Sequence, residues 1–182
     1  MLYSQRNVIS LFLVLIAQFL IESIGYMDFS IGNLLYLPLG ATLYCYILFG
    51  PRAIPGVVVA NTLIGYFLWD NWFGNGMSGF SGHVVVGSLA PMLAIITVKY
   101  FQLNSFSGSN KINYGPCMFL IILTALINTI AKFFTFMDIL IEEIEPIIFL
   151  GSFFVGDVLG CVVFFLVASK FLTPLLARYR LI

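Results

Sequence analysis

Phe153-Phe-Val-Gly-Asp-Val-Leu-Gly160 lies in the middle of an apolar run that extends from Ile147 to Lys170. An apolar run of about twenty residues predicts a transmembrane helix rather than a helix of a soluble core. Asp157 is about ten residues from one end of this run, which places it near the middle of a bilayer. An ionised carboxylate at that depth costs at least a few kcal/mol. We therefore expect Asp157 to face the protein interior, to be protonated or to have a partner.

The amino-acid composition sets the class of protein. Hydrophobic residues make up 61% of the 182 residues and charged residues only 9%, whereas soluble domains contain about 25% charged residues. The composition therefore excludes a soluble globular domain. The formal net charge is zero, so nothing indicates a nucleic-acid partner. The three cysteines lie in or beside apolar segments without paired spacing, as expected for reduced thiols rather than for disulfides or a metal site.

The other apolar segments predict an all-α polytopic membrane protein, a single domain built as a bundle of about six transmembrane helices. The expected helices span approximately 8–26, 34–49, 54–69, 82–101, 116–137 and 147–170. No linker or internal repeat divides the chain. An even number of helices places the N and C termini on the same side of the membrane.

The charged residues sort by side, and this asymmetry predicts the orientation. The basic residues on the side of the termini are Arg6, Arg52, Lys99, Lys111, Lys170, Arg178 and Arg180. The acidic residues on the other side are Asp28, Asp70, Asp138, Glu142, Glu143 and Glu145. The outer interface is expected to carry the aromatic residues Trp69, Trp72 and Phe73. Because positive loops stay in the cytoplasm, we expect both termini to be cytoplasmic.

This sorting leaves three charged residues over, namely Glu22, Lys132 and Asp157. Glu22 and Lys132 lie at similar expected depths and can form an ion pair. In a buried pair, however, the attraction between the charges often only offsets the cost of removing both from water. Alternatively, Lys132 extends outward to the interface and Glu22 reaches the headgroups by itself. The sequence leaves both interpretations open.

Asp157 has no cation at its own expected depth, so its candidate partners are amides and hydroxyls. These are Asn61, Asn128, Ser88 and Thr124. In one interpretation Asp157 binds a proton, a cation or a polar ligand, as acids inside membranes often do. In the other it is hydrogen-bonded and only fixes the bundle. Gly156 and Gly160 form a small-xxx-small pair, which lets a second helix approach closely.

His83 is the only histidine and opens the fourth expected helix at the outer face. We expect an interfacial side chain there, and the alternative is a pH-sensitive switch beside the acidic loop. The sequence has no nucleophile elbow, no HExxH, no phosphate loop and no pair of carboxylates on one helix face. The expectation is therefore a protein that is not an enzyme and has no cofactor or metal site.

Two parts of the sequence resemble the MASE1 integral-membrane sensor domain. The first is Leu35-Tyr-Leu-Pro-Leu-Gly-Ala-Thr42 followed by Leu48-Phe-Gly-Pro-Arg-Ala-Ile-Pro-Gly56, which resembles W-P-P/S-G-I-A and the turn G-R-R-A-x-P-G of that family. The second is Phe154-Val-Gly-Asp-Val-Leu-Gly160, which is similar to the closing segment W-x-G-D-x-x-G-x-L. The resemblance covers most of the chain, and its matching residues are Pro38, Gly40, Arg52, Pro55, Gly56, Gly156, Asp157 and Gly160.

The resemblance implies a sensory or docking module of the bacterial inner membrane. In that family the module is usually fused to histidine kinase, diguanylate cyclase or phosphodiesterase domains. This chain departs from the pattern, since Tyr36 stands where Trp is common and no output domain follows the sixth expected helix. A free-standing module of this kind would act in trans, through a partner protein.

The expected function is thus a non-enzymatic membrane module that binds a partner protein, with or without a small ligand, and that signals or anchors in trans. Two alternatives stay open. One is a small-solute-binding transporter subunit like the substrate-binding components of energy-coupling importers, in which the interrupted second helix, with Pro38 and Gly40, lines a pocket. The other is a structural subunit of a larger membrane assembly.

Overall fold

The computed structural model describes residues 3–24, 35–68, 80–101, 114–140 and 145–178. Every regular element within these ranges is helical, which confirms the all-α prediction for them. The helices are α1 (Tyr3–Ile24), α2 (Leu37–Phe49), α3 (Ile54–Leu68), α4 (Gly87–Tyr100), α5 (Tyr114–Leu140), α6 (Pro146–Val167) and α7 (Thr173–Arg178). Shorter helical turns of other types occupy Gly50–Ala53, Ser81–Val86 and Ala168–Leu172.

Five helical segments of this structure are long and apolar enough to cross a membrane, as a multi-pass membrane protein requires. They are Tyr3–Ser23, Leu37–Phe67, Ser81–Tyr100, Gly115–Phe136 and Pro146–Leu176. The first helix begins at Tyr3 rather than at residue 8, because the polar residues before the apolar run continue the helix. The second and third predicted helices form one helical stretch that is interrupted at Gly50–Ala53.

The chain bends back at this interruption. Gly50 has a φ of 65°, a conformation that favours glycine. Beyond it, Tyr46 of α2 and Asn61 of α3 both bind Ser88: the Tyr46 hydroxyl donates to the carbonyl oxygen and the Asn61 amide to the hydroxyl. On one straight helix these two residues would lie about 22 Å apart. Both can reach Ser88 only if α3 returns toward α2.

Helix α2 lies at the centre of the bundle, where it packs against α1, α4 and α6. One side places Leu37, Ala41 and Cys45 in a buried cluster with α1 and α3. The other side places Leu39 and Leu43 in a buried cluster with α4, α5 and α6. A helix that is apolar all round is an interior helix. The 13 residues of α2, about 20 Å long, are therefore surrounded mainly by protein.

Glycines allow close approaches at both ends of this arrangement. A Cβ on Gly40 of α2 would lie 2.8 Å from the Cβ of Phe164 on α6, closer than carbon atoms approach without a bond. A Cβ on Gly56, at the start of α3, would collide with the backbone of Asn7 on α1. The side-chain oxygen of Asn7 accepts a hydrogen bond of 2.9 Å from the Gly56 N–H. These contacts explain small residues at two positions of the sequence motif.

Two π-helical turns were not expected from the hydrophobic pattern. Ser81–Val86 leads into α4, and Ala168–Leu172 joins α6 to α7. After the second turn, Thr173 donates a hydrogen bond of 3.1 Å to the carbonyl oxygen of Ala168, five residues back. The Thr173 hydroxyl also lies 2.7 Å from the Tyr44 hydroxyl of α2. The start of α7 is thus bound to the central helix.

Part of the predicted charge and aromatic pattern lies outside the described residues. This part comprises Asp28, Trp69, Asp70, Trp72, Phe73, Lys111, Glu142, Glu143 and Arg180, and the side chain of Asp138. Of the described basic residues at helix ends, Arg52, Lys99, Lys170 and Arg178 are exposed.

Candidate functional site

Asp157 lies in the interior of the bundle and is 1% exposed, so the prediction that it faces the protein interior is confirmed. Its partners are on α5. The Asn128 side-chain amide donates a hydrogen bond of 2.7 Å to Asp157 Oδ2, and the Thr129 hydroxyl donates a longer one of 3.4 Å to the same oxygen. Asn128 was among the predicted partners, whereas Thr129 was not. Both donors bind one oxygen of the carboxyl group and fix its orientation toward α5.

Lys132 is the cation near this carboxylate, about one helical turn along the axis from it, and the sequence-based prediction did not bring the two residues together. Lys132 is 2% exposed and interacts electrostatically with Asp157. Its Nζ lies 4.5 Å from the ring centroid of Tyr36 and 5.5 Å from that of Phe153. Both distances are within the range of cation–π attraction. The ammonium is therefore enclosed by two aromatic rings and a carboxylate.

The error arose from the helix boundaries. Helix α5 continues to Leu140 instead of ending near residue 137, so Lys132 is deeper in the bundle than the apolar run indicated. Helix α6 already starts at Pro146. Since Asn128 faces Asp157, the neighbouring turn of each helix places Lys132 opposite Phe153, about 6 Å along the axis from the acid.

Glu22, the other residue considered as a partner of Lys132, is engaged within its own helix. Its Oε1 accepts a hydrogen bond of 3.1 Å from the Gln18 side-chain amide, one helical turn earlier. Lys132 is buried, so it does not extend outward to an interface either. Among the described residues, Lys132 therefore lies with Asp157 and the two rings, and the proposed Glu22–Lys132 pair is not formed.

Tyr36 joins the site to the central helix. Its backbone N–H donates a hydrogen bond of 3.1 Å to the carbonyl oxygen of Gly156, and its backbone lies directly on Gly160, where any Cβ would collide with it. Tyr36 immediately precedes α2. The glycines on either side of Asp157 therefore hold the start of α2 against α6 and place the Tyr36 ring beside Lys132.

Asn61 was a predicted partner of Asp157, but it belongs to a second buried polar cluster. Its side-chain amide donates a hydrogen bond of 2.9 Å to the Ser88 hydroxyl. The backbone carbonyl oxygen of Ser88 accepts a second hydrogen bond, of 2.8 Å, from the Tyr46 hydroxyl. This cluster ties α2, α3 and α4 together. The predictions that Asn61 and Ser88 bind the acid were therefore wrong.

His83 lies in the π-helical turn before α4 and is half-buried. Its ring centroid is 4.9 Å from that of Phe136 on α5. The neighbouring Gly82 allows this approach, because a Cβ there would meet the Phe136 ring. His83 also interacts electrostatically with Lys132. The imidazole is thus near the charged site, at its α4 side.

Two buried oxygen atoms on α5 have no hydrogen-bond partner among the residues that the structure describes. They are Asn128 Oδ1 and Thr124 Oγ1, and both side chains are fully buried. Their positions are one helical turn apart, and Lys132 follows one turn after Asn128, so all three share a face of α5. Buried polar atoms without partners are uncommon in folded proteins, so these two oxygens are candidate acceptors for a donor.

Sequence reasoning missed Thr129, Phe153 and Tyr36 as members of the site, and it did not place Lys132 beside Asp157. Thr124, Asn128 and Lys132 recur at a spacing of four residues, which is a polar stripe along one helix face. Phe153 precedes Asp157 by the same spacing on α6. Tyr36 carried no such signal, because its role depends on the backbone contact with Gly160.

The motif residues have structural positions of several kinds. Pro38 lies in the first turn of α2, where its missing N–H leaves no bond unmade. Arg52 and Pro55 are exposed, at the turn and at the start of α3. Within the described ranges, no group of three or more His, Cys, Asp or Glu side chains could hold a metal ion.

The arrangement as a whole is a buried site of one carboxylate, one ammonium, two aromatic ring faces and the two side-chain oxygen atoms without a described hydrogen-bond partner. It can bind a cation, a proton or a small polar molecule, and it includes no activated nucleophile. Comparison with known proteins adds no assignment: no protein-family model, no curated protein and no solved structure matches this chain.

Proposed function

We propose that this chain is a non-enzymatic sensory or docking module of a bacterial inner membrane, which binds a partner protein and signals or anchors in trans. The observation that carries the proposal is the buried pair of Asp157 and Lys132, held against the central helix. Charged residues inside a membrane bundle are expensive, and where they occur they usually serve a function. Purely structural helix packing could use glycines and apolar residues alone.

The resemblance to the MASE1 sensor domain supports the proposal, because the two segments that carry it contact each other. Its two segments are distant in sequence, yet they meet where the Tyr36 backbone rests on Gly156 and Gly160. Gly40 makes a further close approach between the same two helices. A shared motif of this kind is expected if the fold depends on that helix contact.

The contact of α2 with the C-terminal helix supports transmission to a partner. Tyr36 borders the charged site at the start of α2, and Tyr44, two turns later, binds Thr173 at the start of α7. The Tyr44 ring also packs edge-to-face against Phe164 and Phe165 of α6. A displacement of α2 at the site therefore reaches the end of the bundle where a partner in the cytoplasm would bind.

The proposal includes six membrane crossings with both termini in the cytoplasm. The return of α3 toward α2 supports this count, because it divides Leu37–Phe67 into two crossings that meet at Arg52. In a variant without Cys45, Cys117 and Cys161, a cysteine at position 52 is expected to resist a membrane-impermeant thiol reagent in intact cells. A cysteine replacing Glu145 is expected to react. The reverse labelling pattern would show that the protein has the opposite orientation in the membrane.

The test of function is quantitative co-purification in a mild detergent, with mass spectrometry of the bound proteins. Tagged wild type is compared with Asp157→Asn and with Ser88→Ala, a control in the other buried polar cluster. We expect one stoichiometric partner with wild type and control, and a change of several-fold in its amount with Asp157→Asn. A well-expressed Asp157→Asn protein with unchanged binding would remove the charged site from the mechanism.

A small-solute-binding transporter subunit is the second candidate, favoured by the unbound oxygens Asn128 Oδ1 and Thr124 Oγ1. These atoms are suited to a polar ligand in the bundle interior. The same purified samples decide between the candidates, since small molecules can be extracted and identified. A bound metabolite without a protein partner would favour the transporter subunit.

A further inference from the structure

The surroundings of the Lys132 ammonium resemble a binding site for a free cation. The Nζ atom faces the rings of Tyr36 and Phe153 at 4.5 and 5.5 Å from their centroids, and the Asp157 carboxylate balances its charge. Proteins recognise ammonium ligands with the same combination of aromatic faces and an acid. Here the cation is supplied by a flexible side chain of the protein.

The site also offers more acceptors than Lys132 satisfies. Asn128 is fixed by its amide hydrogen bond to Asp157, which leaves Oδ1 as a buried acceptor without a donor. Thr124 Oγ1, one turn away on the same helix face, is buried and has no partner either. An ammonium group brings three N–H donors. A free ammonium, unlike Lys132, has no tether that limits which of these acceptors it approaches.

We propose that Lys132 is the tethered occupant of an internal ammonium site, and that a small primary ammonium ligand binds Asp157, Tyr36 and Phe153 when Lys132 moves away. The ligand class follows from the lining: aromatic faces suit an organic ammonium, whereas sodium requires a shell of oxygen ligands. This inference rests on the proposed function only in using the same cluster as a ligand site. It does not depend on a partner protein.

Lys132 acts in this arrangement as an intramolecular competitor. A group on a short flexible tether has an effective concentration of about millimolar or more at its site. A free ligand must exceed that competition in the wild-type protein. Replacing Lys132 by methionine keeps the apolar stem but removes the ammonium, so the site loses its competitor while the Asp157 carboxyl group and both aromatic rings remain. We expect the apparent affinity for a free ammonium to increase at least about ten-fold.

The experiment is a thermal-unfolding titration of the purified full chain in detergent, with methylammonium chloride against sodium chloride at equal ionic strength. The proteins are wild type, Lys132→Met, the double variant Lys132→Met with Asp157→Asn, and Lys99→Met as a control at an exposed lysine of α4. We expect methylammonium, and not sodium, to raise the unfolding midpoint of Lys132→Met at concentrations at least ten-fold below those that affect wild type. The double variant and the control should not gain this response.

Several results would overturn the proposal. These are equal responses of Lys132→Met and wild type, equal effects of the two salts, and a response that persists in the double variant. If Lys132→Met fails to fold, purification with methylammonium present throughout decides the matter. Recovery of folded protein only under that condition supports the site, and failure under both conditions refutes it. Capture of a partner protein by wild type is measured in a separate experiment. A negative result in one experiment therefore does not refute the hypothesis that the other one tests.

Discussion

The contact between Gly160 and Tyr36 makes a sharp prediction about the substitution Gly160→Ala. A Cβ on Gly160 would collide with the N, C and O atoms of Tyr36, which are backbone atoms that cannot rotate away. Relief requires the start of α2 to move away from α6. That movement lengthens the hydrogen bond from the Tyr36 N–H to Gly156, now 3.1 Å, and shifts the Tyr36 ring relative to Lys132.

The magnitude follows from three contributions to the free energy of unfolding. Overpacking at a close helix contact costs about 1–3 kcal/mol, and a lost backbone hydrogen bond costs about 1 kcal/mol. Alanine regains about 0.5–1 kcal/mol over glycine in a helix. The variant should therefore be destabilised by about 1–3 kcal/mol in total.

Gly151→Ala on the same helix is the matched control, because a Cβ there meets no atom of the described residues within 4 Å. It gains the helix preference without the collision and should be more stable than wild type by about 0.5–1 kcal/mol. The assay is equilibrium unfolding in mixed detergent micelles with increasing dodecyl sulfate, followed by far-ultraviolet circular dichroism. Equal stabilities of Gly160→Ala and Gly151→Ala would refute the packing of α2 on α6.

The charged site and the C-terminal contact give two further predictions. Asp157→Asn should remain inserted but lose about 3–5 kcal/mol of stability, because Lys132 stays buried without its carboxylate; adding Lys132→Met should restore most of this. A double-variant cycle by the same unfolding assay measures this coupling, and additive effects would contradict it. Tyr44→Phe should accelerate amide hydrogen exchange in residues 173–178, since the bond to Thr173 is lost, whereas Tyr100→Phe at an 80% exposed position should not. Unchanged exchange in both variants would contradict that role of Tyr44.

The sequence was a good guide where length and hydropathy decide the outcome. Apolar runs predicted the helices, and the cost of a charge in a bilayer predicted that Asp157 faces inward. Asn128, which hydrogen-bonds Asp157, was one of the four candidate partners that the sequence indicated. The Gly50-Pro51-Arg52 turn was also recognisable, because glycine allows the positive φ and proline limits the helix.

The sequence was a poor guide where the outcome depends on register and backbone contact. The predicted depths of Lys132 and Asp157 differed by about five residues, so the prediction did not pair them, although the rotation of α5 and α6 brings them near each other. Asn61 has the right residue type and depth, but its helix face points to Ser88. Neither helix rotation nor the π-helical turns can be obtained from hydropathy, because lipid and protein interior are equally apolar.

The position of α2 explains how one buried charge pair can influence the end of the bundle. Its start is fixed by Tyr36 to α6 and to Lys132, and Tyr44, about 12 Å further along, is bound to Thr173. A helix packed on all sides moves as a unit, because a close-packed interior does not deform continuously. The helical repeat changes directly after α6, in the π-helical turn Ala168–Leu172 that joins α6 to α7. Release of Tyr36 from Lys132 should therefore alter the contact at Thr173 by displacing α2. A sensory role requires that the bundle have two such discrete arrangements, between which a ligand shifts the population.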